Sequence, residues 1–140
     1  SFYAEAGLND ITFDKQMIAS HKDMIDSLHN DFLINWAATD GINGLTSHEF
    51  GHIVQGHFTE VKMSDSKLLK DASDGFVKEV NKVRKNTKKY PKPSDYSKRN
   101  PSEYFAECFA EYHTSDAPGS AAMAIGKIVD KYLKLLEEGI

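Results

Sequence analysis

Residues 46–56 read Thr46-Ser47-His48-Glu49-Phe50-Gly51-His52-Ile53-Val54-Gln55-Gly56, and the rest of the chain is best understood outward from here. On a helix, positions four apart stack on one face, so His48 and His52 offer two imidazole nitrogens to one metal ion. Glu49 is rotated by about 100° around the axis from His48. That sets its carboxylate beside such an ion, where it can take a proton from a water the ion activates. Thr46 or Ser47 is suited to cap a helix starting there, and this helix is expected to carry residues 48–54 and end by Gly56. Phe50, Ile53 and Val54 let it be buried on its other sides. Gly51 permits a close backbone neighbour, at a cost in helix propensity.

Two histidines do not complete a catalytic zinc site, which takes a third protein ligand and leaves the fourth position to water. A third histidine in the spacing H-E-x-x-H-x-x-G-x-x-H is excluded. Gln55 stands where the glycine is required and Phe58 where the histidine is required, while Gly56 and His57 are out of helical phase. The other source is a carboxylate on a second helix. Residues 101–113 supply Glu103, Glu107 and Glu111, four apart and therefore on one face. Alanine, cysteine and aromatic residues surround them, which predicts that at least Glu103 and Glu107 are partly buried. A buried carboxylate requires a partner, and a metal ion or a histidine N–H supplies one.

The whole chain has 140 residues, 40% of them apolar and 27% charged, with a net charge of −4. That length fits one domain over residues 1–140 with one closed core. The charge balance argues against a nucleic-acid binder, which shows a basic face. One local exception runs from Lys82 to Arg99 and includes Arg84, Lys85, Lys88, Lys89, Lys92 and Lys98. It reads as a solvated helix end running into a loop, or as a contact for an acidic substrate or polyanion. Cys108 has no partner for an internal disulfide, and core packing explains it more simply than reactivity. No apolar run approaches the length of a bilayer span, and no signal-peptide pattern opens the chain. The sequence reads as a soluble domain whose compartment and oligomeric state are open. A start at Ser1, without an initiator methionine, fits a processed product or a domain excised from a larger protein.

Ile11 and Phe13 alternate with Thr12 and Asp14 at the strand period. A short helix over residues 21–30 follows, with Met24, Ile25 and Leu28 on one side, then a second strand candidate at Phe32, Ile34 and Trp36. Asp40-Gly41 and Asn43-Gly44 read as turns. A longer amphipathic helix fits residues 66–85, with Leu69, Phe76, Val80 and Val83 on one face. Pro91 and Pro93 make a loop, and Asn100-Pro101-Ser102 starts the glutamate helix. Pro118-Gly119 ends that stretch. The last helix fits residues 120–138, with Ile125, Ile128, Val129, Tyr132 and Leu136 inward. The expected fold is α+β and mostly helical, with a small N-terminal sheet.

His48-Glu49-Phe50-Gly51-His52 together with Glu103-Tyr104-Phe105-Ala106-Glu107 resembles the peptidase domain of anthrax lethal factor and its relatives. These include phage-associated peptidase domains and proline-specific endopeptidases of the same clan. The resemblance covers residues 47–114, about half the chain. It implies a gluzincin-type zinc metallopeptidase with a zincin-like fold and an active-site helix. Carried over by position, it implies His48, His52 and Glu103 as ligands of a Zn2+ ion and Glu49 as general base. Glu107 becomes the carboxylate that orients a metal-bound histidine. Tyr96, seven residues before Glu103, becomes a donor to the oxyanion of the reaction. Glu107 as ligand with Glu111 behind it is the alternative. The chain is far shorter than the toxin and has no room for its docking domains, so the toxin's kinase specificity does not carry over. The expected partner is a protein or peptide substrate lying extended beside a sheet edge, such as the strand around residues 11–13. Two other classes compete: a non-catalytic zinc-stabilised interaction module, which has no need of Glu49, and a metal-free helical interaction domain, which leaves the carboxylate face without purpose. His21, His29, His57 and His113 read as surface or packing residues, with His57 near enough to line the site's entrance.

Overall fold

The structure is a computed structural model that describes residues 4–7, 10–13, 21–62 and 66–139. Two short strands, β1 (Ala4–Ala6) and β2 (Ile11–Phe13), pair antiparallel with Ala4 opposite Phe13 and Ala6 opposite Ile11. Five helices follow among the described residues: α1 (His21–Leu33), α2 (Gly41–Lys62), α3 (Lys67–Lys85), α4 (Pro101–Thr114) and α5 (Ser120–Gly139). A 3-10 turn, Tyr96–Lys98, precedes α4. The expected α+β character, mostly helical with a small sheet, is what the chain adopts.

The motif helix α2 is longer than its capping signals suggest. It begins at Gly41, whose φ is +70°, so Thr46 and Ser47 lie inside it and cap nothing. Asn43-Gly44, read as a turn, is the first turn of this helix. A Cβ on Gly44 would collide with the Thr39 side chain and meet its backbone carbonyl carbon at 3.2 Å, where the incoming chain folds back over the helix start. At the other end α2 passes Gly56 and continues to Lys62. Phe58 explains the extension: it is buried and stacks on Phe76 of α3 with ring centroids 3.9 Å apart. Tertiary packing of this kind outweighs the propensity cost of one glycine.

The strand expected at Phe32, Ile34 and Trp36 does not form. Phe32 lies in the last turn of α1, and the helix then closes with a Schellman motif. Asn35 takes the left-handed conformation at φ 61°, and Trp36 N–H donates to Asp31 O at 2.9 Å. Asparagine enters that region more readily than most residues, which lets it stand where glycine is usual. The apolar alternation of residues 32–36 therefore serves a helix end and the loop after it.

Helix α4 runs through the middle of the molecule. Pro101 opens the first turn, as the sequence predicts, and Asn100 Oδ1 caps the helix by accepting from Glu103 N–H at 2.8 Å. Residues 104–110 are all buried. Phe58, Phe76, Ile125, Val129 and Tyr132 pack with its Phe105 and Phe109 in one core. The expected α3 and α5 faces are present, with Phe76, Val80, Val83, Ile125, Val129 and Tyr132 buried and Leu69, Ile128 and Leu136 half-buried. Ser66 caps α3 through a bond from Leu69 N–H.

What positions the site is the crossing of α2 over α4. A Cβ on Gly51 would meet Ala106 Cα and Phe109 Cβ, both at 3.1 Å. The two helices touch backbone to backbone at a glycine and an alanine. His48 and His52 stand three residues before and one after Gly51, and Glu103 and Glu107 stand likewise about Ala106. Each helix thus turns its pair toward the other at the closest point of the crossing.

Candidate metal centre

His48 is buried and both ring nitrogens face carboxylates. Its Nδ1 lies 2.8 Å from Glu107 Oε2 and its Nε2 lies 3.2 Å from Glu103 Oε2. His52 Nε2 lies 2.9 Å from Glu103 Oε1. The two oxygens of Glu103 therefore each meet one imidazole. Burial disfavours charge on His48, but the bonds to Glu103 and Glu107 outweigh it and push its pKa up to about 9. Burial alone would raise Glu103. Hydrogen bonds from His48, His52 and Tyr96 reverse this and hold its carboxyl well below the ordinary range.

Glu107 ties four parts of the chain together. Oε2 takes the His48 bond, while Oε1 accepts from Ser94 Oγ at 2.7 Å and from Ala38 N–H at 3.0 Å. Ser94 is itself locked to Ser97 by reciprocal bonds that enclose Tyr96 in one turn. Asp95 N–H and Tyr96 N–H donate to Asn35 O and Trp36 O, both at 2.9 Å. Tyr96 is thus held from both sides. Its ring packs on Trp36 at 5.3 Å and on His48 at 5.6 Å. Its hydroxyl donates to Glu103, and burial and this bond raise its pKa.

Glu49 is 5% exposed. Burial lifts its carboxyl above the ordinary range; the neighbouring His48 and His52 oppose the shift, and Glu103 and Glu5 add to it. It lines a cavity of about 190 Å³ with His48, Tyr96, Trp36, Leu45 and Arg99. The donor set fits a divalent cation. The ligand atoms of His48, Glu49 and His52 lie within 4.8 Å of one another, and Glu103 bonds both imidazoles at Nε2. Imidazole and carboxylate donors on two helices, with a further carboxylate at the edge, suit zinc.

His48, Glu49, His52, Tyr96, Glu103 and Glu107 meet here, whereas Glu111 does not, and His57 is exposed and lines neither the cavity at Glu49 nor the groove at His52. Glu111 lies a turn further along α4 and accepts from Gly119 N–H at 2.8 Å, which argues against a role behind Glu107. His29 is bonded to Asp40, and His113 packs on Phe109. The Cys108 thiol is buried, and burial raises its pKa. The strand beside the motif is β1 as well as the expected β2: Ala4 lines the cavity at Glu49, and Ala6 lines the groove at His52. Sequence reasoning also missed Ser94, Trp36 and Ser102. Ser102 Oγ lies 3.1 Å from His52 Nδ1. Its place just before Glu103 in the first turn of α4 was the signal that could have found it. Nothing local marks Ser94 or Ala38.

A family model described as anthrax toxin lethal factor, N- and C-terminal domain, matches residues 33–119, more than half of the chain. No curated protein and no solved structure matches it.

Proposed function

The chain belongs to the anthrax toxin lethal factor family, and from that premise we propose that it is a zinc-dependent endopeptidase of the gluzincin type. On this reading the 140 residues form one catalytic domain with a zincin-like arrangement. The observation that carries it is the Glu103 carboxylate between His48 Nε2 and His52 Nε2, with the buried Glu49 alongside. His48, His52 and Glu103 would hold the ion.

A zinc ion bound there supplies Lewis acidity, polarising the scissile carbonyl and lowering the pKa of water. Glu49 accepts the proton from the attacking water and returns it to the leaving amine. Tyr96, kept protonated at neutral pH by its environment, donates to the oxygen on which charge develops. Glu107, 2.8 Å from His48 Nδ1, would take the Nδ1 proton and leave Nε2 available to hold the ion. A protein or peptide substrate would lie extended against β1, with its backbone paired to the strand edge. An interaction module stabilised by zinc would need the three ligands and have no use for a buried carboxylate at Glu49.

The test has two parts. Protein purified without added metal should carry about one zinc per chain, as one site of this type requires. The Glu49→Gln variant should keep that zinc and lose about 100-fold or more of its cleavage of peptide libraries. A variant that cuts at the parent's rate would overturn the mechanism, and a chain that takes up no zinc would overturn the peptidase reading.

A further inference from the structure

The two sides of the metal centre open into different spaces. On the His52 side a groove of about 700 Å³ runs between α2, α3 and the start of α4. Its walls are apolar where α3 supplies Phe76, Val77 and Val80, and it ends at Asn81 and Arg84. Among the described residues lining it, Arg84 alone carries a permanent charge. Arg84 is half-buried, and its guanidinium makes two long bonds of 3.4 Å to Asn81 Oδ1. Among the described residues no carboxylate pairs with it. A guanidinium partly withdrawn from water and bonded only to a neutral amide favours an anionic partner.

The segment that begins beside Arg84 has the same sign along the chain. Residues 82–99 hold eight Lys and Arg against one acid, Asp95, in a chain whose net charge is −4. The strand beside the motif gives the path. Ala4 and Ala6 are two apart and share a face of β1. One lines the cavity at Glu49 and the other lines the groove at His52. Their separation of about 6.6 Å along a strand is close to the ~6 Å between His48 and His52 along a helix. A peptide extended along β1 would pass Glu49 and turn a side chain into the groove.

We propose that this groove is a specificity site for an acidic residue of a peptide, on the His52 side of the bond to be cut. Arg84 binds the carboxylate, and Val77 and Val80 cover the methylenes. That the peptide is a substrate rests on the peptidase reading; that it is recognised does not.

The test is binding, measured on zinc-loaded Glu49→Gln protein so that peptides are not consumed. Fluorescent octapeptide libraries place Glu, Gln or Lys at one position at a time. At one position Glu should bind roughly tenfold tighter than Gln, as a charge-assisted bond contributes. Arg84→Gln, which keeps size and polarity, should erase the preference, and Arg84→Glu should reverse it in favour of Lys. Peptides neutral at that position should bind all three proteins alike. A parent protein with no acidic preference overturns the proposal, and so does a preference that survives in either Arg84 variant. If the preference follows residue 84 but the protein with Glu49 restored cuts none of the bound peptides, the groove assignment stands and the peptidase reading falls. Cleavage with no acidic preference does the reverse: the peptidase reading stands and the groove assignment falls.

Discussion

His48 and His52 belong to one helix and one motif, yet the protein holds them in unlike ways. His48 is 6% exposed, with a carboxylate on each ring nitrogen, and the one on Nδ1 also anchors a loop and a turn. His52 is more open and has Glu103 on one side and an exposed serine hydroxyl on the other. The difference follows from the crossing of α2 and α4. His48 faces down the buried length of α4, whereas His52 faces its first turn, where the helix emerges into solvent. One side of the centre is therefore built for rigidity and the other for access.

The largest effect should come from the group both histidines share. Glu103→Ala should weaken zinc binding by more than about a hundredfold, beyond what loss of an outer partner costs. Glu107→Ala should weaken it by about 10–100-fold. The same variant should also destabilise the metal-free protein by roughly 3–5 kcal/mol, because His48 loses a buried charged partner. Competition with a chelator and thermal melting separate the two. Equal small losses would leave neither carboxylate as the third ligand.

Proton competition sharpens the contrast next. The His48 pKa in the folded, metal-free protein is raised from 6.5 to about 9. Its protonated form therefore stabilises that fold fully below pH 6.5, and the contribution is lost as pH rises through about 9. Zinc takes the unprotonated ring, so affinity should climb about tenfold per pH unit between those values and then level off. In Glu107→Ala the climb should end at lower pH. A flat profile in the parent would mean that His48 is neutral before zinc arrives.

Gly51→Val tests the crossing itself. A side chain there must displace Ala106 Cα and Phe109 Cβ, and we expect a cost of about 1–3 kcal/mol with weaker zinc binding. Retention of full stability and affinity would show that the helices have slack at this point. The smallest effect belongs to the open side: Ser102→Ala should lower zinc affinity only about threefold, as loss of one exposed neutral hydrogen bond implies. A loss matching that of Glu107→Ala would erase the distinction between the two histidines.

Much of this was legible in the residues. The 3.6-residue period placed α3, α4 and α5 closely, and Pro101 marked the first turn of α4. Where local reading failed, a distant contact had intervened. Phe58 drew α2 past Gly56 into the core by stacking on Phe76. Asn35 closed α1 in a left-handed turn, and an apolar alternation that reads as a strand became a loop pinned to Tyr96.

By itself the sequence determined the donors: two imidazoles and a carboxylate on one helix, and a row of carboxylates on another. These follow from helical period, which is a local property of the chain. Only the tertiary structure decided which carboxylate oxygen meets which nitrogen, that Glu107 also holds Ala38 and Ser94, and that Ser102 stands behind His52. The bonds of His48 to Glu103 and Glu107, and of Ala38 to Glu107, span 55, 59 and 69 residues. No local rule reaches that far. They depend on how closely α2 and α4 approach, and that distance is set by packing a glycine against an alanine.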